Sequence, residues 1–322
     1  MRRICAVSVL DRFPAARRWA RRLSSPNGLR GLALASLIAN VGLVVTGGAV
    51  RLTDSGLGCP TWPRCTADSY TTSAEMGVHG VIEFGNRTLT FVLGAIALAA
   101  LVATWRSRPD LRTLAAAVLF GIPLQGVIGG ITVLTNLNPW VVGLHFLGSI
   151  AVITAAYAFW RRTGPTAPVV VPGPLHTLAA LTAAASAAVI AIGVVVTGSG
   201  PHSGDHGAKR NGLDPESISQ FHADLVFLLL GLSVALWLAL RAVGAPSRPA
   251  AVLLIVVLGQ GVLGFAQYFT HLPILLVGLH MFGACLVWLA TLSALAATRG
   301  VPVARAKADA PANRRQPAEA TH

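Results

Sequence analysis

A pattern that could hold a metal cofactor occurs twice in this chain. Gln-Gly-x-x-Gly followed by Gly-Leu-His ends at His145 and again at His280. The two glutamines, Gln125 and Gln260, lie 135 positions apart, as do the two histidines. One half of the protein is therefore predicted to be a copy of the other. An imidazole without a partner in an apolar segment costs free energy, so each histidine is a functional-site hypothesis.

A third histidine, His222, belongs with these two. His145, His222 and His280 each fall in the first two turns of an apolar segment that starts on the outer side of the predicted topology. His222 and His280 lie in one half, and two imidazoles on facing helices are the arrangement for axial ligation of a porphyrin iron. Zinc or copper would recruit further ligands, and few are nearby. His79 in the second apolar segment is a further candidate, whereas five histidines lie in loops, at a span edge or in the tail: His176, His202, His206, His271 and His322.

A carboxylate in the second apolar segment is the other candidate for chemistry. Helical spacing puts His79, Glu83 and Asn86 on one face, and Arg87 follows Glu83 by four positions. Arg87 could neutralise Glu83 as a structural pair; the alternative is a chemical role for Glu83 beside a cofactor or substrate. The matching segment of the second half brings His222 near the place of Asn86 and has no equivalent glutamate.

Glycines beside the duplicated histidines leave space near them. Gly143, Gly148, Gly278 and Gly283 predict either room for a flat macrocycle or the close approach of a neighbouring helix.

The composition identifies the elements that must position these residues. With 54% hydrophobic and 11% charged residues and a mean hydropathy of +0.65, the chain is too apolar for a soluble domain. The predicted fold class is all-α: a polytopic membrane protein with eight transmembrane helices in two parallel-repeat four-helix bundles. The predicted spans are 31–50, 80–104, 111–134, 140–160, 175–197, 219–240, 249–268 and 273–297.

The charge pattern predicts the orientation in the membrane. The net charge of +13 does not indicate nucleic acid, because the basic residues precede the first span, fill every second loop and follow the last span. By the positive-inside rule both termini are cytoplasmic. The outer loops hold only Arg51, Arg64, Lys209 and Arg210. The predicted organisation is a basic arm (1–29), a first bundle (30–162), a linker (163–174), a second bundle (175–298) and a disordered tail (299–322).

Two cysteines in the first outer loop, Cys59 and Cys65, are predicted to form a disulfide, since that compartment is oxidising. The alternative is two independent thiols. Cys5 would be cytoplasmic, and Cys285 would serve as a small apolar residue within the last span.

At this point the chain resembles the haem A synthase family over about residues 30–297. The resemblance is carried by residues 44–60, 83–87 and 195–201 together with the duplicated Gln-Gly and Gly-Leu-His segments. It implies conversion of haem O to haem A by oxidation of the C8 methyl to a formyl group, with substrate haem in one bundle and haem b in the other. It also implies a bacterial cell membrane, haem sites toward the outer side, and haem O synthase, a terminal oxidase and membrane lipid as partners. The electron donor and the oxygen source stay open.

The resemblance assigns roles residue by residue. His222 and His280 match the axial ligands of haem b, and His145 matches a ligand of the substrate haem iron. Glu83 matches the essential carboxylate, and Cys59 with Cys65 matches an outer-loop cysteine pair. The family commonly has Glu-x-x-His-Arg where this chain has Glu83 to Arg87 with Asn86 in place of the histidine. Either His79 supplies the second ligand, or the substrate iron is five-coordinate on His145.

A mechanism follows from these assignments. Glu83 would transfer protons or stabilise a cationic intermediate while the methyl is oxidised, and haem b would transfer electrons. The rival function is a dihaem b-type electron-transfer protein without substrate conversion, which leaves a glutamate in only one half unexplained. A transporter is a second rival, since parallel repeats occur there.

Overall fold

The structure is a computed structural model that describes residues 22–165 and 171–299. In these ranges eight helices are long and apolar enough to span a membrane, so the predicted all-α, multi-pass membrane fold is confirmed. The helices are α1 (Pro26–Leu52), α2 (Gly77–Ser107), α3 (Arg112–Leu134), α4 (Pro139–Thr163), α5 (Gly173–Ser199), α6 (Pro215–Ala242), α7 (Arg248–Phe269) and α8 (Ile274–Ala297). Parts of the predicted arm, linker and tail lie outside the described residues, as do Cys5 and His322.

The predicted spans agree with the helices to within a few residues. Differences at helix starts have local causes: Leu111 closes a short 3-10 turn (Pro109–Leu111) before α3, and Pro273 is the N-cap of α8. Three of the helix starts are capped by side chains that accept hydrogen bonds from free backbone amides, namely those of Ser25, Asn138 and Asp214. Asn138 accepts from the amide of Trp140 at 3.0 Å, and Asp214 accepts from that of Ser217 at 2.8 Å. Hydrogen bonds from the side chain and then from the amide of Ser217 lower the pKa of the Asp214 carboxyl.

The helices pack as two rings of four. In the first half α1 contacts α2 and α4, and α3 contacts α2 and α4. In the second half α5 contacts α6 and α8, and α7 contacts α6 and α8. Helices α2 and α4 are therefore diagonal across the first ring, and α6 and α8 are diagonal across the second. This arrangement is compatible with the predicted pair of four-helix bundles.

The two rings meet along a seam formed by α1 and α4 on one side and α5 and α8 on the other. One apolar core runs through the seam, since buried residues of α4 such as Ile150 and Ile153 cluster with Ile190 and Cys285. Trp288 crosses the seam and donates a hydrogen bond from Nε1 to Oγ1 of Thr154 at 2.7 Å. The packing of one ring on the other fixes the relative placement of any group that the two rings hold.

Candidate functional site

The three histidines occupy equivalent places in their helices. His145 is the seventh residue of α4, His222 the eighth of α6 and His280 the seventh of α8. With a rise of 1.5 Å per residue, each lies about 9–11 Å from the start of its helix. The three histidines therefore lie at similar distances from the starts of their helices.

Each of these three imidazoles lies against a glycine of the preceding helix. A Cβ on Gly129 would lie 3.3 Å from Cε1 of His145, and a Cβ on Gly264 would lie 3.5 Å from Cε1 of His280. His222 repeats the arrangement with Gly193, where the distance would be 3.0 Å. Because glycine has no side chain, each imidazole has a narrow space beside the neighbouring helix.

One nitrogen of each of these imidazoles is buried without a hydrogen-bond partner. Nδ1 is buried and makes no hydrogen bond in the described part of the chain in His145, His222 and His280 alike. Nε2 is not enclosed in this way, so it is the ring nitrogen that is open to a ligand. An imidazole left without partners in an apolar bundle is costly. The three imidazoles therefore suit ligation of a metal that a bound cofactor brings. The iron of a porphyrin is such a metal, and imidazole is one of its usual ligands.

The second ring of helices places its histidines on opposite sides. His222 is on α6 and His280 is on α8, and these helices are diagonal across the ring. Two imidazoles at one depth on diagonal helices suit the two faces of a single macrocycle. Groups of three or more His, Cys, Asp or Glu that could hold a bare metal ion are absent from the described residues.

The first ring is different, because a carboxylate lies at the corresponding depth. Glu83 is the seventh residue of α2 and is only 6% exposed. Arg87 donates to its Oε1 from Nη2 at 2.5 Å and from Nε at 3.0 Å, so the predicted i, i+4 pair is formed. The backbone amide of Cys59 donates to Oε2. Both carboxylate oxygens of Glu83 are thus held in place.

The loop between α1 and α2, which carries the cysteines, forms hydrogen bonds with Glu83 and Arg87. Cys59 and Cys65 form the predicted disulfide. Arg87 Nη2 donates to the carbonyls of Cys59 and Thr61 at 3.2 and 3.1 Å, and Nη1 donates to that of Arg64 at 3.3 Å. The loop therefore covers the end of the first ring at which α2 starts, and its backbone contacts Glu83.

Asn86 and His79 have different surroundings. Asn86 is half-buried beside Gly47 of α1 and accepts a hydrogen bond from Oγ1 of Thr46 at 2.7 Å. His79 is exposed in the first turn of α2, with Nδ1 3.0 Å from Oγ of Ser55. Of these two candidates, Asn86 lies deeper along α2 and His79 lies against the outer loop.

The glycines next to the histidines serve helix packing. A Cβ on Gly148 or on Gly283 would collide with the side chain of Gln125 or Gln260 respectively, so each glutamine lies over a glycine of the next helix. Gly143 faces Val194 and Gly278 faces Leu52 across the seam. Of the two predicted uses of these glycines, the structure places them at close helix contacts.

An apolar cavity of about 310 Å³ lies at the seam, next to the first ring. Leu147, Ile150, Ala151 and Thr154 of α4 form one wall, and Ala187, Ile190 and Trp288 form the other. Its wall begins two residues after His145, so the cavity extends inward from the depth of that histidine. Its lining suits an apolar chain rather than a polar ligand.

Three contributors to this site were not predicted from the sequence. The Cys59 amide and the Thr61 carbonyl are backbone groups, which leave no residue-type signal. Thr46 lies within residues 44–60. Its hydroxyl, next to a glycine in an apolar helix, is the sequence feature that could have indicated its role.

Comparisons with known proteins agree with this arrangement. A family model described as "Cytochrome oxidase assembly protein" (COX15-CtaA) matches residues 30–202. A "Heme A synthase" of Symbiobacterium thermophilum is 33% identical over 132 residues, which are 40% of this chain and 42% of that protein. A "Heme A synthase" of Lysinibacillus sphaericus is 31% identical over 122 residues, 37% of this chain and 39% of that protein.

The fold defines a multi-pass membrane protein made of helices. The match over more than half of its length shows that the chain belongs to the COX15-CtaA family of cytochrome oxidase assembly proteins. The chain spans about two fifths of the length of the curated relatives it matches.

Proposed function

We propose that this protein is a haem A synthase, an oxidoreductase that oxidises the C8 methyl of haem O to the formyl group of haem A. The observation that carries the proposal is Glu83, a buried carboxylate held by Arg87 and by the disulfide-bonded loop in one half of a duplicated fold. Burying a glutamate among apolar helices costs free energy, and a role in a reaction site is the readiest explanation for such a residue. The names of the relatives support the same reaction.

The second ring of helices is proposed to hold haem b. His222 and His280 would bind its iron from opposite faces, because they lie at similar depth on diagonal helices. When bound, haem b supplies one-electron transfer. Gly193 and Gly264 keep space beside the two rings, so the helices orient the imidazoles without further polar contacts.

The first ring is proposed to hold the substrate, haem O. His145 would bind its iron on one side, and Asn86 lies on the diagonal helix. We propose that His145 is the one imidazole that binds the iron of the substrate, so that this iron is five-coordinate. Ligation by His79, whose Nδ1 lies 3.0 Å from Oγ of Ser55 at the start of α2, is the alternative.

Glu83 is proposed to move protons. Counted with water as the oxygen donor, conversion of a methyl to a formyl group releases four protons and four electrons, so a site for proton removal is needed beside the reacting carbon. Arg87 and the Cys59 amide orient the two carboxylate oxygens, which keeps the proton acceptor in a fixed place. A fixed anion in an apolar site would also stabilise positive charge that develops on the methyl carbon.

The apolar cavity at the seam is proposed to receive the long apolar substituent of haem O. Its wall begins at Leu147, next to the proposed iron ligand His145, and Ala151 and Ala187 leave the space open. Contacts of this kind stabilise bound substrate roughly in proportion to the apolar area covered.

The proposed setting is the bacterial cell membrane, with both termini in the cytoplasm and both haem sites toward the outer side. The basic loops support this orientation. Haem O synthase would supply the substrate, and a terminal oxidase would receive the product.

The test is extraction and chromatography of haem, with mass analysis, from membranes of cells that make haem O. We expect haem A only when this protein is present. Glu83→Gln should lower its formation by about 10²–10⁴-fold while haem b stays bound. Glu216→Gln is the matched control, because Glu216 is exposed in the first turn of α6.

Two outcomes would contradict the proposal. About two permanent haem b per chain without any formyl haem would establish the dihaem electron-transfer protein. Loss of haem b in Glu83→Gln would show that Glu83 acts through the fold rather than on the substrate.

A further inference from the structure

Basic side chains converge at the outer end of the seam between the two rings. Four basic residues lie in the loops predicted to be outside, and three of them, Arg51, Lys209 and Arg210, line a single small pocket. The fourth, Arg64, is used elsewhere, since its Nη1 donates to the carbonyl of Ala67 and its guanidinium lies over Tyr70. Cations on the outer side run against the positive-inside tendency, so their clustering needs a cause.

Arg51 is the innermost member of the cluster and joins the two halves. It is half-buried at the end of α1, and its Nε donates to the carbonyl of His202 at 2.6 Å. Its Nη2 donates to the carbonyl of Thr197 at 2.7 Å. A guanidinium has five N–H donors, so these two bonds leave three for another partner.

The cluster has no acidic partner in the part of the chain that the structure describes. Carboxylates within 4.0 Å of Arg51, Lys209 or Arg210 are absent there. Asp205, which belongs to the same loop, accepts a hydrogen bond from the amide of Gly207 instead. Three neighbouring positive charges repel one another, and a bound anion is the group that offsets this.

The pocket is small and its walls are fixed. Its free volume is about 10 Å³, close to the space of one water-sized group. The loop is tied to α5 by two bonds of Asn211, whose amide N–H donates to the carbonyl of Gly198 at 3.1 Å and whose Nδ2 donates to that of Val195 at 2.9 Å. Gly56 donates to the carbonyl of Gly204 at 2.8 Å and joins the outer loops of the two halves. The pocket therefore accommodates the oxygens of a compact group but no ring.

We propose that this pocket binds the oxyanion of a membrane-embedded ligand, a carboxylate or a phosphate group, at the outer end of the seam. Pro139 and Val142 of α4 line it, and Val142 lies one turn outward from His145 on the same helix face. A carboxylate on the rim of a macrocycle held by His145, or the phosphate of an anionic phospholipid lying in the seam, would meet the same three cations. The anion would also hold the two halves together, because Arg51 belongs to the first and Lys209 and Arg210 to the second.

The test uses the full chain in nanodiscs and the double variant Lys209→Gln/Arg210→Gln. Both side chains are exposed, so the fold should survive. One arm titrates haem O and its dimethyl ester into the chain already loaded with haem b, in phosphatidylcholine nanodiscs, with the Soret band as readout. The other arm counts phosphatidylglycerol retained per chain by native mass spectrometry. Arg241→Gln/Arg248→Gln, which removes the same charge at the other ends of the helices, is the control.

We expect about tenfold weaker binding in one arm for the double variant, with the control unchanged, because charge-assisted hydrogen bonds are lost. Preference for haem O over its ester would identify the carboxylate source, and selective loss of phosphatidylglycerol would identify the phosphate source. Equal behaviour of wild type and double variant in both arms would overturn the proposal. Neither readout depends on haem A formation, so failure of the proposed reaction would be seen separately.

Discussion

At the scale of single residues, the histidines of the two rings share one environment but differ in what faces them. His145, His222 and His280 each have a buried Nδ1 without a partner and a glycine beside the ring. Only the second ring of helices has an imidazole on both of its diagonal helices at this depth. Across from His145, helix α2 carries Glu83 and Asn86 instead. The second ring of helices thus has an imidazole on both diagonal helices. The first ring has an imidazole on one diagonal helix and a carboxylate on the other.

This difference predicts separate effects of histidine substitutions. His222→Ala and His280→Ala should each lower haem b per purified chain by about tenfold or more, because one axial bond is lost. His145→Ala should retain haem b and lose haem A formation. The measurement is the low-spin absorbance spectrum together with extracted haem per chain.

His206→Ala is the control for these variants, since His206 is exposed in an outer loop. Retention of haem b in His222→Ala and His280→Ala, with its loss in His145→Ala, would reverse the assignment of the two rings.

At the scale of elements, the repeated glutamines and glycines set how closely neighbouring helices approach. Gln125 lies over Gly148, and Gln260 lies over Gly283, at the same sequence distance in each half. In the first half Ser149 also donates to Oε1 of Gln125 at 3.2 Å. This packing holds the helix that carries the histidine against the one that carries the facing glycine. The repeated motif therefore positions the imidazole as well as supplying it.

Gly283→Val tests this role in packing. A side chain at position 283 would collide with Gln260, so we expect a loss of stability of about 1–3 kcal/mol. Gly259→Val is the matched control on α7, because nothing lies within 4 Å of a Cβ at that glycine. The measurement is the free energy of unfolding in mixed detergent micelles. A shift of equal size in both variants would contradict this account of the motif.

At the scale of the whole molecule, two rings meet at a seam that contains an apolar cavity and ends in a cationic pocket. The seam is formed by α1, α4, α5 and α8, and Trp288 bonds across it to Thr154. The outward surfaces of the helices carry large exposed apolar side chains such as Phe91 and Val262, which suits contact with lipid. Orientation in the membrane then decides on which side the disulfide-bonded loop and the cationic pocket lie.

The orientation makes a separate prediction. Alkaline phosphatase fused after Gly212 should be active, and the same enzyme fused after Gly244 should be inactive, because Arg241 and Arg248 retain that loop in the cytoplasm. Green fluorescent protein at the same two positions should give the opposite pattern. Active phosphatase after Gly244 would place both termini outside.

The sequence by itself determined the eight helices, the positions of the three histidines within their helices and the Glu83–Arg87 pair. These features are local: the length of an apolar run and the helical period are both written along the chain. The disulfide also followed from the short spacing of its cysteines and the oxidising compartment.

Tertiary structure alone decided which groups meet. The Cys59 amide reaches Glu83 across 24 positions, and Arg51 reaches Thr197 and His202 across about 150, so neither contact has a local signal. His79 shares a helix face with Glu83 in sequence, yet it lies against Ser55 because the outer loop folds back over the start of α2. Backbone donors and loop closure depend on how the helices assemble, and residue types record neither.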